Sequence, residues 1–311
     1  MNRILLILVA VCSALCAQDI QTLKVQGNVY LLSGAGGNVA VQIGDMGVVV
    51  VDTGLAQAAP KLVEAIRKLS DKPLQYIINT HFHPDHTGGN EIVRKAGTTI
   101  TGANVAGNLT DAALGAAIIA HENVLNRMSA PTGKQAPTPT GAWPTDTYVE
   151  SEKKLYFNDE PIEIKWQPKA HTDGDSLVVF RHSDVIAAGD ILSTTSFPFI
   201  DLANGGSIQG EIDALNKILD LTVPKHDEEG GTYVIPGHGR ICDEFDVLEY
   251  RDMVTIVRDR VQAAIKKGQT LDQIKAAHLT LDYDARYNLK GAFVTADSFV
   301  EAVYKSLTAK K

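Results

Sequence analysis

The chain has 311 residues and a formal net charge of −8 at neutral pH, and 44% of its residues are hydrophobic. A chain of this length and apolar content can bury a large core, and α/β folds reach this size as one domain. The negative charge disfavours nucleic acid and anionic membrane surfaces as partners. We therefore expect a globular protein that does not act on nucleic acid.

The N-terminus has the pattern of an export signal. Arg3 is followed by an unbroken apolar run over residues 4–11 and then by small residues. The run is shorter than the about 20 residues that a membrane-spanning helix needs. We predict a cleaved signal peptide at 1–17, a mature domain at 18–311, and a periplasmic or secreted protein without a stable membrane anchor. Only Cys242 lies beyond the predicted cleavage site, so no intramolecular disulfide is expected.

In the mature chain, patterns typical of strands and helices alternate. Short apolar runs predict strands over 28–32, 39–43, 74–79, 176–180, 185–188 and 233–235, a strand with a polar end over 47–54, and a hairpin over 155–166. Apolar residues at helical spacing predict helices over 60–69, 107–128, 212–221 and 245–267. Four prolines make 130–144 an irregular loop. The interleaving of the two kinds of element predicts the α/β class.

The cluster His81-Phe82-His83-Pro84-Asp85-His86 follows the predicted strand at 74–79. Imidazole nitrogens and a carboxylate are ligands that zinc and similar divalent ions prefer. Residues two apart in an extended segment point the same way, so His81 and His83 can share one ion. Asp85 and His86 lie beyond Pro84, where the chain turns, and can face a neighbouring ion. The spacing therefore predicts a metal site.

Three further candidate ligands stand at or just after the ends of predicted strands. His171 follows the hairpin, Asp190 follows the strand at 185–188, and His238 follows the strand at 233–235. Ligands in α/β folds usually bind beyond the carboxyl ends of the strands. One such residue alone would be more often structural than ligating. Their recurrence in a chain that also carries the histidine cluster favours a shared metal site.

These motifs together resemble the metallo-β-lactamase superfamily over essentially the whole mature chain. The matching segments, in chain order, are Asp52-Thr53-Gly54, the cluster from His81 to His86, His171, Gly189-Asp190, and Pro236-Gly237-His238-Gly239. The resemblance implies an αββα sandwich in a single domain, with a two-metal site in the cleft between its sheets.

The resemblance also implies a role for each candidate residue. It assigns one set of ligands to each metal ion and one residue to both: His81, His83 and His171 to the first ion, Asp85, His86 and His238 to the second, and Asp190 to both. Asp52 would orient a ligand or the cluster loop, although capping of a tight turn after a strand explains it equally well.

We expect the two-metal site to serve a hydrolase. Two divalent ions, which we expect to be zinc with iron or manganese as alternatives, would turn a shared water molecule into the attacking hydroxide and polarise the substrate carbonyl. Asp85 and Asp190 are then the catalytic carboxylates, through the metals that they hold. No serine or cysteine nucleophile is required.

Asp190 separates this chain from the antibiotic-hydrolysing branch that is best known in the family. That branch has a cysteine at this place and, three residues on, a lysine that grips the substrate carboxylate; here the residues are Asp190 and Ser193. An aspartate bridge resembles instead glyoxalase II, lactonases and other esterase-like members. We expect cleavage of an ester, lactone, thioester or lactam in a small-molecule substrate. A dedicated periplasmic β-lactamase and an iron-dependent oxidoreductase of the persulfide dioxygenase type stay open as alternatives.

Overall fold

Two β-sheets packed face to face form the centre of the structure, with helices on the outer side of each sheet. The structure, a computed structural model, describes residues 19–99, 115–131, 137–224 and 230–309. The arrangement is the αββα sandwich that the resemblance implied, so the predicted fold class is confirmed. The predicted signal peptide lies outside the described residues and stays a prediction.

The first sheet has seven strands that follow one another in chain order across the sheet. The strands are β1 (Gln21–Gln26), β2 (Val29–Ser33), β3 (Val39–Gly44), β4 (Gly47–Val51), β5 (Leu74–Ile78), β6 (Ala117–His121) and β7 (Asp146–Tyr148). Strands β1 to β4 pair antiparallel, and β4 to β7 pair parallel. The parallel half brings the carboxyl ends of β4 and β5 side by side, and both ends lead into candidate site residues.

The second sheet has five strands in the order β12-β11-β10-β9-β8. Their bounds are β8 (Glu152–Phe157), β9 (Glu160–Trp166), β10 (Ser176–Phe180), β11 (Val185–Ser193) and β12 (Tyr233–His238). Only β11 and β12 are parallel, while the other neighbours pair antiparallel. Because β11 and β12 run in the same direction, Asp190 and His238 reach the same edge of this sheet.

Several helices begin after a residue whose side chain caps the first turn. Their bounds are α1 (Ala59–Leu69), α2 (Pro84–Thr87), α3 (Asn90–Lys95), α4 (Glu122–Ser129), α5 (Ile208–Leu221), α6 (Glu244–Lys266), α7 (Leu271–Ala276), α8 (Leu281–Tyr287) and α9 (Ala296–Thr308). Helix α6 begins with a capping box, in which the side chains of Asp243 and Asp246 each accept a hydrogen bond from the other's backbone N–H. Among the described residues, no helix is long and apolar enough to cross a membrane.

Three apolar layers hold the sandwich together. Side chains alternate between the two faces of a strand, so in β4 Val49 faces the other sheet while Val48 and Val50 face outward. The outer face of the first sheet packs against α1 and α3, and that of the second packs against α5, α6 and α9. Burial of each large apolar side chain contributes about 1.5–3 kcal/mol, so this packing fixes the distance between the two edges that carry the site.

Among the residues that the structure describes, the predicted helix over 107–128 is wrong over 117–121 and confirmed over 122–128. Residues 117–121 form β6, and only the stretch from Glu122 onward is helical; residues 107–114 lie outside the described part. In β6, Ile118 packs against the outer helices and Ile119 against the second sheet. A parallel strand that is buried on both faces has no polar alternation, and its periodicity therefore resembles that of a buried helix.

Candidate metal centre

The first sheet delivers its candidate ligands from the loop that joins β5 to α2. His83 has extended backbone angles and is the last residue before the helix, and Pro84 occupies the first turn of α2. This proline suits a helix start because its ring presets φ and the missing N–H would have no helical partner there. The turn separates His81 and His83, in the loop, from Asp85 and His86, in the helix. One short segment therefore presents ligands in two directions.

The second sheet delivers three more candidate ligands, and two of them lie elsewhere than predicted. His238 is the last residue of β12 and does not follow the strand. Strand β11 continues to Ser193, so Asp190 lies within the strand and does not follow it. The residue before Asp190 is Gly189, whose φ of +53° is strained for other residues. A Cβ on Gly189 would lie 2.7 Å from Thr80 Oγ1, so a larger residue would also clash there. A Cβ on Gly237 would overlap with Asp190 Oδ1. Gly189 therefore lets β11 approach Thr80, just before the cluster, and Gly237 lets β12 approach β11 closely beside Asp190.

Four side chains form the first group of potential ligand atoms: His81, His83, His171 and Asp190. The Nε2 atoms of His81 and His171 lie 3.9 Å and 3.8 Å from Asp190 Oδ2. His171 Nε2 also lies 2.9 Å from His83 Nδ1. The ligand atoms of the group all lie within 4.8 Å of one another, which is close enough for one ion.

A second group of four shares Asp190 with the first and adds Asp85, His86 and His238. His86 Nε2 and His238 Nε2 lie 3.1 Å and 3.4 Å from Asp190 Oδ1, the carboxylate oxygen that faces away from the first group. Asp85 Oδ2 lies 3.2 Å from His238 Nε2 and 3.7 Å from His86 Nε2. The two oxygens of Asp190 thus face different groups. The structure brings together all seven residues that the sequence singled out as ligands.

In three of the histidines, a hydrogen bond made by Nδ1 fixes the tautomer of the ring. Thr80 Oγ1 donates to Asp52 Oδ2 at 2.7 Å, so it can only accept from His81 Nδ1 at 3.0 Å. His86 Nδ1 lies 2.8 Å from Asp52 Oδ2 and must donate to this carboxylate. His171 Nδ1 donates in the same way to the carbonyl oxygen of Phe199. In each ring Nε2 therefore faces the centre, with a free lone pair in the neutral rings of His81 and His171.

His83 has the opposite tautomer. Its Nε2 lies 3.0 Å from Asp201 Oδ2 and donates to that carboxylate, so the lone pair of Nδ1 faces His171 Nε2. Two nitrogen lone pairs at 2.9 Å repel each other unless a cation lies near both. Three buried atoms of the centre, His81 Nε2, His86 Nε2 and Asp190 Oδ1, also make no hydrogen bond to any described residue. Buried polar atoms normally have partners, so this donor set fits bound metal ions.

Burial and neighbouring charges shift the pKa values within the centre in opposite directions. Burial lowers the pKa of His171 to about 4 and that of His81 well below its usual value, so both rings are neutral and ready to bind a cation. Burial also acts on Asp190 and His238. There, however, attraction between the carboxylate and the histidines prevails, lowering the pKa of Asp190 well below its usual range and raising that of His238 to about 9. Metal ions compete with protons for these atoms.

Asp52 connects the cluster loop to the end of β4. It is buried, has a φ of 63°, and accepts hydrogen bonds from Thr80 N, Thr80 Oγ1 and His86 Nδ1. These contacts are those of a residue that orients ligands, and they also close the turn after the strand. Both roles that the sequence left open are therefore compatible with its position.

We expect Asp52→Asn to weaken metal binding about 10- to 100-fold, a typical cost for losing the partner of a ligating histidine. Asparagine tolerates the left-handed backbone, so the loop should keep its path, but an amide cannot hold both Thr80 and His86 as a carboxylate does. Competition with a chromogenic chelator measures the affinity. Asp45→Asn, on the exposed turn between β3 and β4, is the matched control, and equal affinities for the two variants would contradict the role.

Asp201 was missed by the sequence analysis. It precedes a short turn and also accepts hydrogen bonds from Asn204, a pattern that indicates a cap and not a partner for histidine. Its contact with His83 joins positions that are 118 residues apart, and no local signal reveals such a contact. Attraction to His83 and hydrogen bonds from Asn204 outweigh burial and lower the pKa of Asp201 to about 2, so the carboxylate is charged.

Removing this carboxylate should disturb the first group of ligands and not the second. We expect Asp201→Ala to weaken binding of one metal equivalent about 10- to 100-fold, because the ring of His83 loses the bond that fixes its tautomer. Asp201→Asn keeps an acceptor and should recover part of the affinity. Stepwise metal titration followed by elemental analysis separates the two equivalents. If Asp201→Ala and Asp201→Asn lost the same metal affinity, Asp201 would have a structural role only.

A pocket of about 320 Å³ opens onto the second group of ligands. Its described lining has three kinds of side chain: the ligands Asp85, Asp190 and His238, the hydroxyls of Ser193, Thr195 and Ser196, and the rings of Phe197, Phe199 and Phe293. No lysine or arginine is among the described residues that line it. The site therefore combines a polar floor with an apolar wall, as small-molecule sites commonly do.

The family model described as the metallo-β-lactamase superfamily matches residues 25–238, which include every residue of the two ligand groups. The chain belongs to the metallo-β-lactamase superfamily. This confirms the family that the motifs indicated. Belonging to the superfamily does not by itself select a substrate, because one fold can carry sites for many reactions.

Known proteins similar to this chain include alkylsulfatases and β-lactamases. A linear primary-alkylsulfatase from Pseudomonas sp. (strain ATCC 19151) is 23% identical over 258 residues, which cover 73% of this chain and 47% of that protein. The solved sec-alkylsulfatase Pisa1 from Pseudomonas sp. is 17% identical with a TM-score of 0.64, over 92% of this chain and 50% of that one. The chain thus spans about half the length of these alkylsulfatases.

The solved β-lactamases are similar over a smaller part of this chain. The DIM-1 metallo-β-lactamase is 19% identical with a TM-score of 0.56, over 76% of this chain and 98% of that one. A metallo-β-lactamase from Pontibacter korlensis is 14% identical with the same TM-score. At these identities the likeness shows the fold alone. The named relatives are hydrolases, in line with the class of enzyme predicted from the sequence.

Proposed function

We propose that this chain is a hydrolase that depends on two divalent metal ions, with zinc as the expected metal. One observation carries the proposal: two groups of ligand atoms share Asp190, and each of its oxygens faces one group. The proposed ligands are those assigned above: His81, His83 and His171 for one ion, Asp85, His86 and His238 for the other, and Asp190 for both. Nitrogen and oxygen ligands suit zinc, and they also accept iron or manganese.

The residues of the chain position the reactants. Bound ions would supply a Lewis acid for the bond that is broken and would activate water near neutral pH. Asp85 is partly exposed to the pocket, where it can accept a hydrogen bond from the attacking water and orient it. The hydroxyls of Ser193, Thr195 and Ser196 lie on the same lining and can donate to polar atoms of the substrate.

A protein nucleophile finds no support in the described residues. Ser193 Oγ lies 3.2 Å from Thr195 Oγ1, and no described histidine hydrogen-bonds to it as a general base would. Cys242 is buried, and burial raises the pKa of its thiol to about 12. The proposed reaction is therefore attack by water on a carbonyl-centred bond in an ester, lactone, thioester or lactam.

Hydrolysis of an alkyl sulfate ester is a second candidate, favoured by one observation. The likeness to the sec-alkylsulfatase covers 92% of this chain, whereas the likeness to DIM-1 covers 76%. The pocket lining argues for an uncharged substrate instead, because no described lysine or arginine stands ready to bind a sulfate group. For the same reason a dedicated β-lactamase, whose substrate carries a carboxylate, is less well supported.

A substrate panel with zinc-loaded protein tests the proposal. The panel comprises p-nitrophenyl acetate and butyrate, a γ-lactone, a thioester, nitrocefin and a linear alkyl sulfate, each measured with and without chelator. We expect about two metal ions per chain and a chelator-sensitive kcat/KM above about 10⁴ M⁻¹s⁻¹ on an ester, thioester or lactone. Fast turnover of nitrocefin or of the alkyl sulfate alone would select the corresponding alternative. Failure to bind metal, or turnover that resists the chelator, would overturn the proposal.

Iron and export are tested separately. Stoichiometric iron in protein as isolated, with oxygen uptake on a persulfide, would replace the hydrolase by the oxidoreductase alternative.

We also propose that residues 1–17 direct export and are removed. Intact-mass measurement of protein expressed from the full sequence in a bacterial host should show this loss, and retention of residue 1 in protein from the periplasm would contradict it.

A further inference from the structure

Three phenylalanine rings form an apolar wall beside the metal centre. The ring of Phe199 lies 5.5 Å from the ring of His171 and 5.8 Å from that of His83, measured between centroids. Phe293 packs edge-on against Phe199, at 5.4 Å and 82°. The rings therefore form a row that runs from the ligands of the first group to the mouth of the pocket. Phe197 belongs to the same lining.

Most of this wall lies in, or rests on, the C-terminal part of the chain. Phe293 lies between α8 and α9, beyond residue 238, where the match to the family model ends. Phe197 is fully buried and stacks on Phe299 of α9, at 5.2 Å and 11°. The core therefore holds the inner part of the wall rigidly. The outer part comes from a segment that the superfamily pattern does not include.

Phe293 is 80% exposed, although phenylalanine is among the residues that gain most from burial. The described structure gives its ring one aromatic neighbour, Phe199, and leaves the side that faces the pocket open. Exposed apolar surface beside an opening commonly marks a place that a ligand covers. A bound apolar group would remove this surface from water, whereas a charged group would find no described lysine or arginine on the lining.

We propose that Phe293, together with Phe199, selects substrates that carry an uncharged, flexible apolar chain next to the scissile bond. The cavity of about 320 Å³ lies at the lower end of the size range for small-molecule sites, so the chain that it accepts is short. The inference rests on the proposed hydrolase function for its link to catalysis, but binding of an apolar chain can be measured without turnover.

A homologous series of p-nitrophenyl esters from acetate to octanoate tests the selection. Each methylene that reaches the wall should raise kcat/KM by up to about fourfold in the wild-type protein. Phe293→Ala should reduce the ratio of hexanoate to acetate activity about tenfold, and Phe293→Leu should restore most of it. Phe245→Ala, at an exposed phenylalanine that is not part of the lining, is the matched control and should leave the ratio unchanged.

Saturation-transfer NMR with 2-hexanone and 2-octanone measures binding of an apolar chain to the wall independently of turnover, because both compounds are uncharged and cannot be hydrolysed. We expect the octanone to bind several times more tightly than the hexanone, and Phe293→Ala to abolish this difference in chelator-treated and zinc-loaded protein alike. If binding follows this pattern but no ester is cleaved, the proposed hydrolase function is contradicted, whereas the proposed binding of an apolar chain at Phe293 and Phe199 is supported. If the chain-length dependence is absent, or equal in Phe293→Ala and wild type, the wall proposal fails whatever the activity.

Discussion

Asp190→Asn is expected to lower kcat/KM by at least about 10³, or ~4 kcal/mol of transition-state stabilisation. Asp190 is the only described residue common to both ligand groups, with Oδ2 towards the first and Oδ1 towards the second. Asparagine has one oxygen, and its amide nitrogen cannot bind a cation. Whichever way the amide turns, one group loses its shared carboxylate oxygen. Metal content should therefore fall below two ions per chain together with the rate.

The variant is expected to fold, because Asp190 contributes its carboxylate to the centre and not to the apolar core. Circular dichroism and thermal melts in the presence of chelator check this. Asp213→Asn makes the same chemical change at an exposed position on α5 and should retain full activity and two ions. If Asp190→Asn turned over substrate at the wild-type rate with two bound ions, the assignment of Asp190 as a shared ligand would be wrong.

Zinc is expected to raise the melting temperature of the metal-free protein by about 10 °C. An ion at about 1,000 times its Kd stabilises the folded state by about 4 kcal/mol, so two ions contribute about 8 kcal/mol, and each kcal/mol shifts the midpoint of a chain of about 300 residues by about 1.5 °C. The physical reason lies in the centre, where His81 Nε2, His86 Nε2 and Asp190 Oδ1 are buried without a hydrogen-bond partner among the described residues. Ions that bind these atoms offset the cost of burying them.

Two comparisons make this measurement specific. Magnesium prefers oxygen ligands and should shift the midpoint much less than zinc, because five of the seven proposed ligands are histidines. Asp190→Asn should show a markedly smaller shift with zinc than the wild-type chain. An equal shift in the variant would mean that zinc stabilises the protein at some other place, and no shift in the wild type would count against the metal centre.

The candidate ligands could be predicted from the sequence because their signals are local. His81, His83, Asp85 and His86 lie within six residues, and period-two geometry with a proline turn is enough to direct them at two points. His171 and His238 follow apolar runs that ordinary periodicity identifies as strands. The position of Asp190 was predicted less well, since the polar residue and the glycine before it looked like the end of a strand that in fact continues to Ser193.

Contacts between distant parts of the chain could not be predicted in this way. The bond from His83 to Asp201 depends on how the loop after β11 lies against the first sheet, and neither residue type implies the other. The apolar wall depends on α8 and α9 packing against Phe197, which follows β11, and on Phe293 between these helices reaching a pocket whose other residues come from much earlier in the chain. Strand β6 was misread because burial on both faces hides the alternation that identifies a strand.

The family, the α/β class and the chemical types of the ligands follow from the amino-acid sequence, because motif spacing and hydrophobic periodicity are properties of short segments. Which atoms face each other depends on the packing of distant segments. This packing directs one oxygen of Asp190 to each ligand group, sets the histidine tautomers through Thr80, Asp52, Asp201 and Phe199, and places an apolar wall at the pocket. These features arise when the two sheets and the C-terminal helices pack together, since packing brings distant residues within hydrogen-bond distance.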